Sequence, residues 1–208
     1  GNNAGTALTT GYRNTVVGAF AGDALDTGHN NVAIGLNALT LETSGFQTIA
    51  IGSAALNVQN GGQDNIAIGF NALTSNLTGQ QNVAVGNSSG LFATTAEAST
   101  FIGHNAGAGV TGAKLTGNNN TAVGKNAGEK FQGTANANTA LGSGALASLT
   151  TGDGNVAVGV ASGAQGAMIN VTTEDNRAIF GHATITNSYV EVDWTVTSDA
   201  RDKMNFAE

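Results

Sequence analysis

The chain repeats a short pattern of apolar and polar residues. Segments such as 31–35 (NVAIG) and 65–69 (NIAIG) place a bulky apolar residue on each side of an Ala and end in Gly. This Gly recurs every 17 residues from Gly1 to Gly103, and then at steps of 21, 18, 17 and 22 residues. Eleven units at this spacing indicate an internal repeat, which is typical of solenoids. The repeat glycines after the first are Gly18, Gly35, Gly52, Gly69, Gly86, Gly103, Gly124, Gly142, Gly159 and Gly181.

The apolar run of each unit is β-branched and too short for a helix, so it predicts a strand. The unit also has room for a second extended piece just after the Gly and for two turns rich in Thr, Asn, Gly and Gln. A single unit has no core of its own, and stacking on its neighbours is what buries its apolar residues. We therefore predict an all-β fold, a parallel β-roll or β-solenoid of about eleven 17-residue coils.

Side chains alternate along a strand, so the bulky residues three and one positions before the Gly share a face and the Ala points the opposite way. We expect Val and Ile to fill the interior of one chain. We expect the row of Ala to permit close approach of another chain, most simply in a homotrimer. The alternative is that the Ala packs beneath a neighbouring turn of the same chain.

Gly and Asn are predicted to be the structural residues of the repeat. The Gly allows a tight corner with no side chain in the way. The Asn four residues earlier can satisfy backbone groups at the corner and form a ladder with the Asn of the next coil. This Asn is present in most units, including Asn31, Asn65, Asn82 and Asn155.

The repeat ends after Gly181, and residues 186–197 alternate strictly between apolar and polar positions. This alternation predicts a half-buried strand, and Trp194 within it is expected to cap the last coil. The chain thus divides into a repeat region (1–185), a capping strand (186–197) and a distinct terminal segment (198–208).

Composition narrows the classes of function. The chain has 208 residues with 31 Gly, no Cys, no Pro and a net charge of −7. An acidic chain is a poor partner for nucleic acid, and the absence of Cys excludes disulfides. No apolar run approaches the roughly 18 residues that span a bilayer, so no membrane insertion is expected. His29, His104 and His182 lie in widely separated units, and neither a metal nor a cofactor is predicted.

The terminal segment SDARDKMNFAE resembles the start of the intramolecular chaperone domain of endosialidase-type phage tailspikes and tail fibres. Ser198, Asp199, Arg201, Lys203 and Asn205 match the pattern S-D-x-R-x-K-x-N. The resemblance implies that such a chaperone trimerises the fibre and then cleaves itself off between Ser198 and Asp199. It also implies that Ser198 is the nucleophile and Lys203 its activating base. An alternative interpretation of Ser198 and Asp199 is the N-cap of a short helix.

The repeats carry a second resemblance. The pattern N-x-A-[VI]-G-x-x-[AS] over most of residues 1–165 is similar to the head repeats of trimeric autotransporter adhesins, which form left-handed parallel β-rolls. Similar repeats occur in phage fibres. Together the two resemblances imply a structural, receptor-facing trimeric tail fibre or neck appendage in the virion, matured by self-cleavage and otherwise not an enzyme. Expected partners are other copies of the chain, other virion tail proteins and a host-surface glycan or protein.

Two other functions remain open at this level. The first is the head of a bacterial trimeric adhesin on the cell surface. The second is a polysaccharide-degrading tailspike, although the repeat region has few acidic residues for a carboxylate pair. Longer loops near residues 107–119 and 163–176 interrupt the regular spacing, and loops on rigid scaffolds often carry function. Tyr12, Phe46, Phe92 and Phe131 fall between the strands, where they are expected either to face a glycan or to cover gaps between subunits.

Overall fold

The computed structural model describes residues 1–166 and 169–182. Ten parallel strands of three residues each form one sheet, in the order in which they occur along the chain. No helix occurs in these described residues. The strands are β1 (Thr15–Val17), β2 (Val32–Ile34), β3 (Ile49–Ile51), β4 (Ile66–Ile68), β5 (Val83–Val85), β6 (Thr100–Ile102), β7 (Thr121–Val123), β8 (Thr139–Leu141), β9 (Val156–Val158) and β10 (Ala178–Phe180).

Each strand pairs with the next at the same repeat position, so that Ala33 lies beside Ala50 and Ala50 beside Ala67. Parallel neighbours require a connection that returns to the start of the sheet, and the remaining residues of each coil supply it. The chain is therefore a parallel β-solenoid, as the repeat predicts. The expected capping strand at 186–197 and the terminal segment at 198–208 lie outside the described residues.

The segment after each corner glycine differs from the expectation. Instead of a second extended piece it is a series of turns in which alternate residues have positive φ, for example Asn37 (+56°) and Leu39 (+53°). The Asn37 amide donates to Ala19 O at 3.0 Å, and the Leu39 amide donates to Ala55 O at 3.0 Å. Because these two alternate amides point to opposite neighbours, this turn stacks on the coils before and after it, as a strand does.

The strand faces are also reversed relative to the sequence prediction. Ala33, Ala50 and Ala67 are fully buried inside the coil of their own chain. The flanking Val32 and Ile34 point outward and are only half-buried. The prediction that Val and Ile fill the interior while Ala meets another chain is wrong, and packing of Ala within its own chain is what occurs. The reason is that a Leu from the opposite turn already occupies the interior, which leaves space only for a methyl group on the strand.

Where the strand has a large side chain in the interior, the adjacent turns have small residues, so the thin interior stays filled. In β6, Phe101 takes the place of Ala and is fully buried. The turn positions around it that carry Leu in other coils are Gly90 and Gly107. A Cβ on Gly107 would lie 2.1 Å from Cδ1 of Phe101, so no larger residue fits there. Close packing thus constrains strand and turn residues jointly rather than one position at a time.

Candidate functional site

The outward side chains of the ten strands form a continuous surface that we call the strand face. It consists of the first and third residue of each strand, and none of these twenty positions is charged. Sixteen are apolar, and the other four are Thr15, Thr100, Thr121 and Thr139. Since adjacent strands lie about 4.8 Å apart, the face extends over roughly 43 Å. It follows the full height of the described sheet.

Solvent reaches much of this apolar surface in a single chain. Val17 is 55% exposed, Ile102 40%, Leu141 46% and Phe180 63%. Monomeric soluble proteins rarely expose contiguous apolar patches larger than a few hundred Å², and larger ones usually mark sites of association. The strand face is therefore the principal candidate interaction surface of the described chain.

The corner glycines bring successive coils into close contact. Gly69 has φ of +139°, and a Cβ on it would lie 2.4 Å from Gly86 O. The same contact recurs along the column from Gly18 to Gly142, whereas Gly159 approaches the Cα of Gly181. Only Gly fits these positions, because the backbone has positive φ and a Cβ would collide with the next coil. They set the spacing at which the strand face is presented.

The repeat Asn residues form a buried ladder beside the strands. Asn31 donates from Nδ2 to Gly45 O at 2.8 Å and accepts at Oδ1 from the Thr48 amide at 3.0 Å. Asn65 likewise accepts from the Asn82 amide at 2.9 Å. Near the other end, Asn155 donates to Glu174 O at 2.7 Å. Each carboxamide thus satisfies backbone groups of the next coil, which allows it to be buried.

A second buried polar column consists of Glu42, Gln59 and Asn76, all fully buried. Glu42 accepts hydrogen bonds from the amides of Ser44 (3.0 Å), Gly45 (2.6 Å) and Gly61 (3.0 Å), and from Gln59 Nε2 (3.1 Å). Asn76 Nδ2 donates to Gln59 Oε1 at 3.1 Å, whereas Asn76 Oδ1 has no hydrogen-bond partner. This carboxylate is held by neutral donors, because no ion pair neutralises it in the described part of the chain.

Sequence reasoning missed this column, although the spacing contains the signal. Glu42, Gln59 and Asn76 follow Leu8 and Leu25 at intervals of 17 residues. Leu25 is fully buried, so this repeat position lies in the interior. An acid in a column that begins with two Leu indicates a buried carboxylate. The column fills the coil in the same way as Leu but imposes a specific hydrogen-bond register on three successive coils.

Aromatic side chains stack near the beginning of the chain. The ring of His29 lies between those of Tyr12 and Phe46, with centroids 4.8 and 5.1 Å apart and planes inclined by 8°. Tyr12 is 52% exposed, and Arg13 lies 5.6 Å from its ring centre. The expectation that the aromatics between the strands are exposed holds for Tyr12. It is wrong for Phe131, which is fully buried beneath Gly128.

One carboxyl group has a markedly altered acidity. Hydrogen bonds from the Thr172 amide and, secondarily, from its own and the Thr173 amide lower the pKa of Glu174 from 4.5 to about 2. Glu174 Oε2 accepts from the Thr172 amide at 2.6 Å and from the Thr173 amide at 3.0 Å. The carboxylate therefore organises the turn that leads into β10.

The self-cleavage residues predicted from sequence, Ser198, Asp199 and Lys203, lie outside the described residues. Within residues 1–166 and 169–182, no three His, Asp or Glu side chains are grouped so that they could hold a metal ion. No helix in this part of the chain is long and apolar enough to cross a membrane. No known protein family, curated protein or solved structure matches the chain.

Proposed function

We propose that the protein is a structural, receptor-facing part of a bacteriophage tail fibre or neck appendage, in which three copies associate through their strand faces. The observation that carries this proposal is the uncharged apolar strand face, which runs the full height of the sheet and is open to solvent in a single chain. Full burial of an exposed Val or Ile side chain is worth about 1.5–3 kcal/mol, and the half-buried side chains of the strand face gain part of this on association. A column of them supplies a large driving force for association along the whole shaft.

The shape of the strand face favours three copies. Each strand has three residues, so the face is only about 10 Å wide. Around a threefold axis each copy contacts two neighbours, and both edges of such a narrow face are covered. In a dimer only one opposing face is available. The resemblances of the repeats and of the terminal segment support the same number of copies.

A shaft of this kind has a mechanical role. Inter-coil hydrogen bonds, the Asn ladder and the glycine corners tie each coil to the next. Such a rod can hold a receptor-binding surface away from the virion, where other tail proteins anchor it and a host-surface glycan or protein is its target. The head of a bacterial trimeric adhesin is the second candidate. The N-x-A-V-G repeat favours the adhesin head and the phage fibre equally. The terminal resemblance favours the phage setting.

The number of copies tests the proposal directly. Multi-angle light scattering of the purified chain is expected to give three times its mass of 20.6 kDa. The reason is that the exposed strand face destabilises the isolated chain in water. A mass of one chain at micromolar concentration would contradict the proposed assembly.

Maturation supplies a separate prediction that distinguishes the two candidates. When the chain is expressed in fusion with a chaperone domain of this type, wild-type protein is expected to be cut between Ser198 and Asp199. Ser198→Ala should leave the chain intact, because the hydroxyl that attacks the peptide bond is lost. Mass spectrometry of the products measures this, and Ser188→Ala is a matched control that should be cut normally. Normal processing of Ser198→Ala would refute the assigned nucleophile.

A further inference from the structure

Two insertions break the 17-residue period at the same point of the coil. Residues 110–114 follow Gly109, six positions after the corner Gly103, and residues 166–170 follow Gln165, six positions after Gly159. In each case the next residue returns to the buried interior column, as Leu115 (0% exposed) and Val171 (1%). The residues that precede the insertions, Gly109 and Gln165, therefore lie on the same edge of the solenoid three coils apart, about 14 Å at the usual strand spacing.

A groove of about 280 Å³ lies on the coils between these insertions. Its floor consists of small residues, namely Gly144, Ala147, Ala161 and Ala164. Corresponding positions in earlier coils carry larger side chains, for example Asn57 and Thr74 where Ala147 and Ala164 stand. The groove exists because these coils have small residues at repeat positions that are filled elsewhere on the same surface.

Five polar side chains surround this floor: Asn126, Glu129, Lys130, Ser148 and Gln165. Asn126 Oδ1 is buried without a hydrogen-bond partner. The side chains of Glu129, Lys130 and Gln165 make no hydrogen bond or ion pair with any described residue. Ser148 Oγ accepts from the Gln165 amide at 3.0 Å, which leaves its hydroxyl proton free to donate.

In the coils that lack the groove, the equivalent turn residues make hydrogen bonds to neighbouring coils. Asn57 Nδ2 donates to Asn37 O at 3.2 Å and to Thr40 Oγ1 at 3.4 Å. Thr74 Oγ1 donates to Ala54 O at 2.6 Å. Polar turn residues there bind one another across coils and stabilise the stack. Around the groove, the polar groups are left available for a ligand.

From these observations we infer that the groove is a binding site for one or two units of a saccharide. Sugar hydroxyls both donate and accept, which suits a set that contains a carboxylate, an ammonium, two carboxamides and a hydroxyl. The methyl groups of Ala147, Ala161 and Ala164 can contact the C–H face of a sugar ring. The volume lies just below the usual range of about 300–1,000 Å³ for small-molecule sites, which fits a short segment of a glycan.

Other ligand classes fit this groove less well. A phosphate group would meet the Glu129 carboxylate next to the one ammonium of the lining. A peptide would need an apolar anchor pocket, and the described lining offers only Ala and Gly to it. The inference rests on the proposed attachment function and deepens it, because it assigns the glycan contact to a particular surface of the shaft.

The test is binding of the full chain to a printed array of defined oligosaccharides from bacterial and animal cell surfaces. Wild-type protein should bind at least one of them, with ligand protons close to the protein in saturation-transfer NMR. Ser148→Phe should lower the affinity at least tenfold because the ring fills the groove. Glu129→Gln and Lys130→Met should each lower it severalfold by removing a charged hydrogen-bonding group without loss of bulk.

Ser75→Phe is the matched control. Ser75 occupies the position of Ser148 in the coil that follows β4, and Leu41 and Phe92 occupy it in two other coils, so a large side chain is tolerated there. Ser75→Phe should bind as the wild type does. Failure of the wild type to bind any oligosaccharide, or wild-type affinity in all three groove variants, would overturn the inference. Light scattering on the same samples separates this from the proposed function, since a trimer that binds no glycan refutes only the groove.

Discussion

Glu42 shows how a single residue specifies the register of the coils. Its carboxylate accepts from amides of its own coil (Ser44, Gly45) and of the next coil (Gly61). A hydrogen bond to a charged group contributes about 1.5–3 kcal/mol, whereas a buried donor left unsatisfied costs about 1–3 kcal/mol. The residue is therefore stabilising only while all of its donors are in place.

Glu42→Gln is expected to reduce the free energy of unfolding by about 1–3 kcal/mol. The new NH₂ group would face Gln59 Nε2 and the Gly61 amide, which are also donors, so at least one of these contacts becomes repulsive. Urea denaturation followed by circular dichroism measures the change. Glu97→Gln, at an exposed side chain without hydrogen bonds, is the control and should stay within about 0.5 kcal/mol of the wild type. Equal stability of the two variants would show that Glu42 has no such role.

Among individual residues, the corner glycines and the Asn ladder could be predicted from the sequence because both recur at a fixed spacing. The orientation of Ala and Val could not be, since both are apolar and alternation alone does not identify the inner face. The deciding feature is that the Leu of the turn, for example Leu39, is fully buried in the interior together with the Ala of the strand. Apolar alternation in the sequence does not reveal that arrangement.

Among the structural elements, the connections are as specific as the strands. Strands of three residues would be unstable alone, and the turns that follow them supply hydrogen bonds to both neighbouring coils. Repeat spacing predicted the strands well because β-branched residues flank each Ala. The turns were predicted to be extended. Asn at the first of these positions is compatible with a left-handed conformation, but Leu at the second rarely adopts one, so the sequence did not indicate the alternation. The two insertions were visible in the spacing, but the groove between them depends on small residues in two successive coils.

The turn at residues 172–174 gives a pH prediction for one element. The folded pKa of Glu174 is about 2, below the ordinary value of 4.5. The stabilisation of the turn is therefore complete above about pH 5 and is lost as the pH falls toward 2. NMR titration of the Thr172 and Thr173 amides should show a transition centred near pH 2. In Glu174→Gln this transition should vanish, and its persistence would refute the assignment.

For the whole molecule, we propose that other copies of the chain cover the apolar strand face. The repeat and the parallel solenoid could be predicted from sequence. Eleven copies of one motif at a nearly constant spacing are compatible with few chain topologies other than a stack of coils. Which face meets the partner could not, and the structure reverses the expected one. Association through Val and Ile supplies more hydrophobic area per coil than association through Ala would.

Light scattering of a charged variant shows whether the strand face holds the copies together. The double variant Ile51→Glu and Ile68→Glu places two carboxylates on the strand face, and in a trimer six of them would converge near the axis. We predict that this variant has the mass of a single chain, while Leu41→Glu with Leu77→Glu, at residues 50% and 49% exposed off the strand face, keeps three times that mass. A mass of three chains for the Ile51 and Ile68 variant would show that the strand face is not the interface.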